Sequence, residues 1–462
     1  MKLSIIVFAT SLLARAAVAS LSALPDEEVN EKVSPRRFGQ ARAEFPSSSI
    51  SLPAEEESNE KKQQHRRLGM TEAGAIYEDT VTYIVKFEDT AAASGDRCKA
   101  LAVANGGTVG YVYKEVANGC SLTMARPEVG TQSGEIILSD FPKVAYFEED
   151  RRVYAFEGDG EESNIFDSSS HIQTRQVNSG EYWNQDRIDQ CPLPLNNQVT
   201  RKSANGVAVF ILDTGIQTNH EDFAGLIGPS NCHFASIEAP ARKDSNGHGT
   251  HVAATVCGRK SGVATDCRLC AVKVLNANGQ GFISNIIAGI DHVVSWCKNN
   301  LGTPCVINMS LGMRGTSQML TDAVTKAVSN GVTVVVAAGN SKENACYTSP
   351  ARIPVAITVG STNKLDARSP FSNYGSCVDV YAPGSDIKSA RRCSGSTTTC
   401  RSYMMMSGTS MASPYVAGLA ATIRSRNKSL KPADVRNEIV NKAYLTESNP
   451  QLRIATYNDC RG

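Results

Sequence analysis

Hydrophobic and polar positions divide the first third of the chain into sections with different patterns. Residues 20–79 are rich in charged and polar side chains and hold little that could form a core, so they predict a disordered leader. From Thr80 the stretch TVTYIVKF alternates as a half-buried strand does, and a helix, a hairpin and further strands follow. This pattern predicts a small α+β unit over residues 80–156. The acidic, Ser-rich residues 157–176 predict a linker.

From Trp183 onward, continuous apolar runs take the place of alternation. GVAVFILDTGI, CVINMSLG and VTVVVAAGN are apolar throughout, and helical patterns such as GFISNIIAGIDHVVSWCKNN separate them. Continuous apolar strands separated by helices are typical of a parallel sheet that is buried on both faces. Residues 177–462 therefore predict an α/β domain whose mostly parallel sheet is covered by helices on both faces.

The first twenty residues, MKLSIIVFATSLLARAAVAS, have a basic start, a short apolar run and small residues before Ser20. This pattern predicts a secretory signal peptide over residues 1–19, cut after Ala19, and hence an extracellular protein. A buried N-terminal helix is the alternative. No other segment approaches 18 apolar residues, so we expect no membrane span. The sequon NKS at Asn427 would suit a secreted chain.

Charge and cysteine content narrow the function classes. The net charge of +1 gives no electrostatic reason to expect nucleic acid as a partner. The chain has 14 cysteines, which in an oxidising compartment predicts disulfide bonds whose connectivity cannot be deduced from sequence. Cys267 and Cys270 in CRLC could instead form a redox or zinc pair, but a structural disulfide role is favoured.

Four polar residues lie where catalytic groups are expected. Asp213 ends an apolar strand, at the edge where open α/β sheets bind ligands. His248 lies between two glycines in NGHGTH, and Ser410 begins a helix in SGTSMASP. A serine becomes nucleophilic when a histidine takes its proton, and an aspartate orients that histidine. Asn340 ends the strand VVVAAGN, where its amide could stabilise an oxyanion together with the Ser410 N–H.

Each of these residues also has a simpler interpretation. Ser410 and Asn340 could cap helices or turns, Asp213 could form a turn before Thr-Gly, and His248 could be a structural histidine. His251, one helical turn after His248, is the better candidate for a structural histidine. Their occurrence together favours the catalytic interpretation.

The order Asp, His, Ser and the motifs ILDTGI, NGHGTHVA, VINMSLG, VVVAAGN and SGTSMASPYVAG resemble those of the subtilisin-like serine proteases. The resemblance covers about residues 180–458, and WNQDRI, VKVLNANGQG and FSNYGS are most similar to the proteinase K-like branch. It implies that Asp213, His248 and Ser410 form a catalytic triad and that Asn340 is the oxyanion residue.

The same resemblance implies how a substrate is held. Two backbone segments would pair with it as an added strand, and a third would line the pocket for the residue before the scissile bond. These segments are Gly279, Gln280 and Gly281; Ser310, Leu311 and Gly312; and Ala337, Ala338 and Gly339. Small, uncharged pocket walls imply a broad preference for apolar or aromatic residues.

Residues 80–156 resemble the inhibitor-like propeptide of this family, with the strands TYIVKF, GYVYKEVANGCSL and VAYFEEDRRVYAF. The resemblance implies that this unit templates folding, is cut by the enzyme near Phe156 and stays bound as an inhibitor. About 25 residues separate Phe156 from WNQDRI, more than the family pattern leads us to expect. The mature N-terminus is therefore expected between residues 157 and 176, with the linker trimmed.

The resemblance implies no cofactor for the chemistry and a structural Ca²⁺ bound by the carbonyls of Pro354 and Ala356 and by Asp379. Oxygen ligands suit Ca²⁺. An ordinary surface role for Asp379 is the alternative. Many proteinase K relatives carry a free cysteine four residues after the catalytic histidine. Val252 stands there in this chain, so weak inactivation by thiol reagents is expected.

These inferences lead to one main hypothesis and two alternatives. The main hypothesis is a secreted, monomeric serine endopeptidase, made as a self-processing proenzyme, that acts on proteins and peptides. Its own propeptide would be its intramolecular inhibitor. The alternatives are a selective processing protease and a binding protein that cuts itself once and retains its propeptide.

Overall fold

The computed structural model describes residues 80–88, 94–126, 138–139, 141–156, 182–191, 193–394, 399–446 and 452–460. The predicted signal peptide, leader and linker lie outside the described residues.

The described residues of the N-terminal unit include a helix and an antiparallel sheet. Its elements are β1 (Thr80–Phe87), α1 (Ser94–Ala104), β2 (Thr108–Tyr113), β3 (Gly119–Ala125), β4 (Val144–Glu149) and β5 (Arg152–Ala155). The first four strands form a sheet in the order β2-β3-β1-β4. Alternate positions of β1, among them Val81, Val85 and Phe87, belong to a small apolar core with Leu101 of α1. Within this core a disulfide joins Cys98 of α1 to Cys120 of β3.

The second section holds the remaining elements. Its helices are α2 (Trp183–Ile188), α3 (His248–Cys257), α4 (Ile283–Asn299), α5 (Gln318–Ser329), α6 (Thr409–Arg426) and α7 (Pro432–Lys442), with 3₁₀ turns at Glu221–Phe223, Ser230–Cys232 and Ala345–Tyr347. Its strands are β6 (Lys202–Ser203), β7 (Ala208–Asp213), β8 (Phe234–Ala235), β9 (Ala264–Thr265), β10 (Arg268–Lys273), β11 (Gln280–Phe282), β12 (Cys305–Met309), β13 (Leu311–Arg314), β14 (Thr333–Ala337), β15 (Thr348–Ser349), β16 (Ile357–Thr362), β17 (Val380–Pro383), β18 (Ile387–Ala390), β19 (Tyr403–Met406), β20 (Tyr444–Leu445) and β21 (Arg453–Ile454).

A nine-stranded sheet in the order β20-β21-β17-β16-β14-β12-β7-β10-β8 forms the centre of this section. Every neighbouring pair in it is parallel except the edge pair β20 and β21. Such a sheet brings the carboxyl ends of its parallel strands to one edge. This arrangement places the end of β7 between the ends of β12 and β10.

Two apolar cores lie on opposite faces of the sheet, because successive side chains of a strand point to opposite faces. Val209 and Ile211 of β7 belong to a cluster that includes residues of α3 and α6. Phe210 and Leu212 belong to a cluster that includes residues of α4 and α5. Each such fully buried side chain contributes about 1.5–3 kcal/mol relative to exposure. The predicted α/β fold, with helices on both faces of a mostly parallel sheet, is confirmed.

Disulfides join all the cysteines of the described residues. Beside Cys98–Cys120 the pairs are Cys191–Cys460, Cys232–Cys270, Cys257–Cys267, Cys297–Cys305, Cys346–Cys377 and Cys393–Cys400. Cys267 and Cys270 bond to different partners, which confirms their structural role and excludes a redox or zinc pair between them. None of the helices in the described ranges is long and apolar enough to cross a membrane.

Candidate active site

Asp213 is the last residue of β7, and its side chain is fully buried. Its backbone oxygen accepts hydrogen bonds from Val274 N and Leu275 N, at 2.9 and 3.1 Å. Its carboxylate Oδ1 accepts from the neighbouring Thr214 N at 2.7 Å. The strand end and these bonds fix the carboxylate at the edge of the sheet, beside the end of β10.

His248 is the first residue of α3, and its Nδ1 lies 2.8 Å from Asp213 Oδ1, with both side chains buried. Because a carboxylate only accepts hydrogen bonds, Nδ1 is the donor and Nε2 is left as the basic nitrogen. A Cβ on Gly249 would come within 2.2 Å of Gly215 O and 3.1 Å of Asp213 Oδ1. The glycine after His248 therefore allows the close approach of α3 to β7.

Ser410 is the second residue of α6, where the first backbone N–H groups of a helix have no partner within the helix. Its side chain is buried, and its hydroxyl donates to Ser310 O at 3.0 Å. A helix N-terminus stabilises negative charge. This position can therefore supply both a hydroxyl and an oxyanion donor.

The side chain of Asn340 is oriented by Thr409. Asn340 Oδ1 accepts from Thr409 N at 2.9 Å and from Thr409 Oγ1 at 2.8 Å, and Thr409 Oγ1 in turn accepts from Gly339 N at 3.1 Å. These bonds turn the amide nitrogen the other way, where Nδ2 donates to the backbone oxygen of Phe156 at 3.0 Å. Asn340 thus holds the carbonyl at the end of the N-terminal unit.

Strand β5 of the N-terminal unit lies between β11 and β13 and is antiparallel to both. Ala155 N donates to Gly279 O at 2.9 Å, and Phe156 N donates to Ser310 O at 3.3 Å. The sequence-predicted substrate segments are therefore the ones that pair with β5. In the register of these strands, Gln280 lies opposite Tyr154, Gly281 opposite Val153, Leu311 opposite Ala155 and Gly312 opposite Tyr154.

The Phe156 ring lies against Gly312, since a Cβ on Gly312 would come 2.5 Å from the ring Cζ. Ala337 ends β14, and Ala338 and Gly339 lead from it to Asn340; all three are buried. The sequence-predicted pocket segment thus adjoins the asparagine that holds the Phe156 carbonyl.

Asp244 was missed by the sequence reasoning, yet it connects the elements that carry Asp213 and His248. Its Oδ1 accepts from Thr214 Oγ1 at 2.9 Å and its Oδ2 from Thr250 Oγ1 at 2.6 Å, while Gly249 N donates to Thr214 Oγ1. Burial raises the pKa of Asp244, and these donors oppose the shift. The sequence feature that could have indicated this role is an acidic residue in a polar loop shortly before NGHGTH.

His251 is buried on α3, and its Nε2 donates to Ile387 O at 3.0 Å. Burial lowers its pKa to about 3, so it stays neutral. Its hydrogen bond to a backbone carbonyl agrees with the structural role predicted for it.

The calcium ligands predicted at Pro354, Ala356 and Asp379 do not form a ready site. Asp379 Oδ2 accepts from Thr358 N at 2.9 Å, and Oδ1 pairs with the Arg436 guanidinium of α7. Ca²⁺ needs six to eight oxygen ligands. Because the Arg436 guanidinium already occupies Asp379 Oδ1, Ca²⁺ would have to displace it. Among the described residues no group of three or more His, Cys, Asp or Glu side chains could hold a metal. Calcium binding therefore stays a prediction.

Replacing Arg436 with glutamine tests how Asp379 is neutralised. We expect Arg436→Gln to lose about 1–3 kcal/mol of stability, because a largely buried carboxylate loses its charged partner. A loss of that size lowers Tm by roughly 2–10 °C, as measured by thermal unfolding. Calcium should restore part of the loss in Arg436→Gln but not in Arg436→Gln/Asp379→Asn. An equal calcium effect in wild type and double variant would place the ion elsewhere.

The sequence of this chain is similar to those of known protease families and proteins. Residues 204–457 match the family model of peptidase S8, the subtilase family. The alkaline serine exoprotease A of Vibrio alginolyticus is 44% identical over 307 residues, which are 66% of this chain and 52% of that protein. The extracellular serine proteinase of Thermus sp. (strain Rt41A) is 40% identical over 336 residues, 72% of this chain and 73% of that protein. The chain thus spans about half of the first relative and about three quarters of the second.

A solved structure agrees with these matches. The crystal structure of a cold adapted subtilisin-like serine proteinase has 40% sequence identity and a TM-score of 0.54, and it covers 61% of this chain and 99% of that chain. The mostly parallel sheet with Asp213 at the end of β7 is thus of the subtilisin-like class. The chain belongs to the subtilase family, and the resemblance found in its motifs is confirmed.

Proposed function

We propose that this chain is a secreted serine endopeptidase made as a proenzyme that cuts itself after Phe156. Residues 1–19 would be its signal peptide, 20–79 a leader, 80–156 the inhibitory propeptide, 157–176 a trimmed linker and 177–462 the catalytic domain. The observation that carries the proposal is the 3.0 Å hydrogen bond from Asn340 Nδ2 to Phe156 O. It supports Phe156 as the residue whose carbonyl is attacked, because an oxyanion donor must lie about 3 Å from the reacting oxygen.

In the first half of the reaction, the Ser410 hydroxyl leaves Ser310 O and Oγ attacks the carbonyl carbon of the scissile bond. His248 Nε2 takes the hydroxyl proton, and Asp213 stabilises the imidazolium that forms. The carbonyl oxygen becomes an oxyanion held by Asn340 Nδ2 and the Ser410 N–H. His248 then gives its proton to the leaving amine, and the C–N bond breaks to leave an acyl-enzyme.

In the second half, water replaces the leaving amine. His248 takes a proton from the water, whose oxygen attacks the acyl carbon, and the same donors hold the second oxyanion. The bond to Ser410 Oγ breaks as His248 returns the proton to it. The enzyme is restored, and the first product carries a new carboxylate.

Contacts beyond the cleft support an inhibitory role for the N-terminal unit after the cut. Two of its carboxylates bind the starts of helices: Glu148 accepts from Gln318 N at 3.0 Å and Asp150 from Ser284 N at 2.9 Å. Lys86 pairs with Asp322 at 2.7 Å. Because these contacts do not depend on the bond after Phe156, cleavage alone would leave the unit in the cleft.

The docked segment also suggests what the enzyme prefers to cut. Phe156 occupies the position before the scissile bond, against Gly312. Val153, three residues earlier, is fully buried in the same apolar cluster as Ile283 and Leu311. We propose an aromatic or apolar preference at the first position and an apolar one at the fourth.

The intact chain tests the proposal directly. We expect the expressed protein to be cut into an N-terminal fragment that ends at Phe156 and stays bound, and the enzyme freed of that fragment to digest casein. The reason is that the cut and casein hydrolysis would use one set of residues. The measurements are fragment mass and loss of intact casein with time. A cut at another position, or none, would contradict the assignment of Phe156.

The occupied cleft also favours a second candidate, a protein that cuts itself once and keeps its N-terminal unit as part of a binding surface. In that case the fragment would end at Phe156 but stay bound, and casein would remain intact. Mild acid or denaturant that removes the fragment should then fail to release casein hydrolysis.

A further inference from the structure

We infer that the substrate cleft continues beyond Val153 and accepts basic side chains at the fifth and sixth residues before the scissile bond. The inference rests on the proposed function, because Arg151 and Arg152 are taken to occupy those positions as a substrate would. It adds Phe282 and Thr316 as specificity-determining residues.

Backbone pairing of the docked segment does not stop at Val153. Phe282 lies opposite Arg152 in the antiparallel register of β11 and β5. Ile283 N then donates to Arg151 O at 3.0 Å. A substrate chain would therefore stay extended over these two residues, with its side chains on alternate sides.

At the fifth position the recognition element is an aromatic face. The Arg152 guanidinium carbon lies 5.5 Å from the centroid of the Phe282 ring, within the range of a cation–π contact. Arg152 Nη1 also donates to Gln280 Oε1 at 3.3 Å. Phe282 remains 36% exposed with the arginine in place, so an incoming side chain can reach it. A partly exposed aromatic face is well suited to a basic side chain.

At the sixth position the recognition element is a backbone carbonyl. The Arg151 guanidinium donates from Nη2 to Thr316 O. A Cβ on Gly315 would lie 3.1 Å from Arg151 Nη1, and Gly315 has φ of +100°, which favours glycine. The turn at residues 315–316 thus leaves room for a long cation. Arg151 therefore contacts the turn after β13, whereas Arg152 contacts β11.

In the described part of the chain, neither guanidinium forms an ion pair with a carboxylate. A ring face and a carbonyl contribute less binding energy to a cation than an acidic pocket would. The subsites should therefore produce a graded preference rather than an absolute requirement.

The test uses the processed enzyme and peptides that share Val-Tyr-Ala-Phe before one chromogenic leaving group. The preceding pair is Arg-Arg, Ala-Arg, Arg-Ala, Ala-Ala or Glu-Glu. We expect arginine at the fifth position to raise kcat/KM about 2–5-fold over alanine, the range of an exposed cation–π contact. Arginine at the sixth position should add a smaller gain, and Glu-Glu should be the poorest substrate.

Variants of Phe282 assign the fifth-position effect. Each kcat/KM is divided by that of the same variant on the four-residue substrate, so a general loss of activity cancels. Phe282→Leu keeps an apolar side chain without a ring and should lower the arginine-to-alanine ratio at the fifth position to what the Gln280 contact alone supplies, while the sixth-position ratio persists. Phe282→Tyr keeps the ring and should keep the preference.

Equal kcat/KM for Arg-Arg and Ala-Ala in the wild type would overturn the inference, as would an unchanged fifth-position ratio in Phe282→Leu. Either result would leave the proposed protease function intact, because the peptides would still be cut. Failure to cut any peptide, the four-residue one included, would instead contradict the proposed function.

Discussion

Replacing Ser410 with alanine is expected to abolish both the cut after Phe156 and all proteolysis. The variant lacks the oxygen that would form the acyl-enzyme, and neither His248 nor Asn340 can replace it. In the related subtilisin, removal of the nucleophile lowers kcat about 10⁶-fold, and a loss of that order is expected here. The measurements are the fraction of chain cut after Phe156 with time and casein hydrolysis by the product.

Ser407→Ala is the matched control, since it removes another hydroxyl from SGTSMASP. Ser407 Oγ accepts from Asp386 N at 2.9 Å and lies outside α6, so self-processing and casein hydrolysis should persist. A Ser410→Ala chain that is still cut after Phe156, in a host shown not to cut it, would refute the assignment of the nucleophile.

Replacing Asn340 is expected to slow the reaction without stopping it. Asn340→Ala removes the Nδ2 donor, and loss of one oxyanion donor costs about 10²–10³ in kcat. The Ser410 N–H and the pair of His248 and Asp213 remain, so slow self-processing should continue. The readout is the first-order rate constant of the cut after Phe156, which needs no external substrate.

Asn340→Asp separates catalysis from stability. The aspartate keeps an oxygen for Thr409 N and Oγ1 but has no N–H for the oxyanion. Both variants should therefore process slowly, whereas only Asn340→Ala leaves the buried Thr409 donors without a partner and lowers Tm. Processing within about three-fold of wild type in both variants would show that Asn340 does not stabilise the oxyanion.

Local sequence patterns were sufficient for the sheet and for the positions of its polar strand ends. The uninterrupted run VAVFILD predicts a strand buried on both faces, and Asp213 therefore had to lie at its carboxyl end. NGHGTH and SGTSMASP each mark a helix start, where α3 and α6 do begin. Such features depend on residues that are adjacent in the sequence, so the sequence alone is sufficient to predict them.

Features that depend on distant contacts could not be predicted in the same way. The orientation of Asn340 is set by Thr409, and Asp379 meets Arg436, 57 residues away. The partners of Cys267 and Cys270 follow from which face of the sheet each one meets. The alignment of Phe156 with Asn340 depends on the register of β5 against β11 and β13, and the sequence places that residue only approximately.

The disulfide of the N-terminal unit would affect the lifetime of that unit after the bond following Phe156 is broken. Cys98 and Cys120 close a loop in a segment that the enzyme would discard. A single break in the backbone between these two cysteines would leave the unit covalently joined. Closing a loop of this size stabilises the folded unit by about 3 kcal/mol, because it lowers the entropy of the unfolded chain. The disulfide would then lengthen the interval between the first cut and full activity, because it stabilises the unit that the enzyme discards.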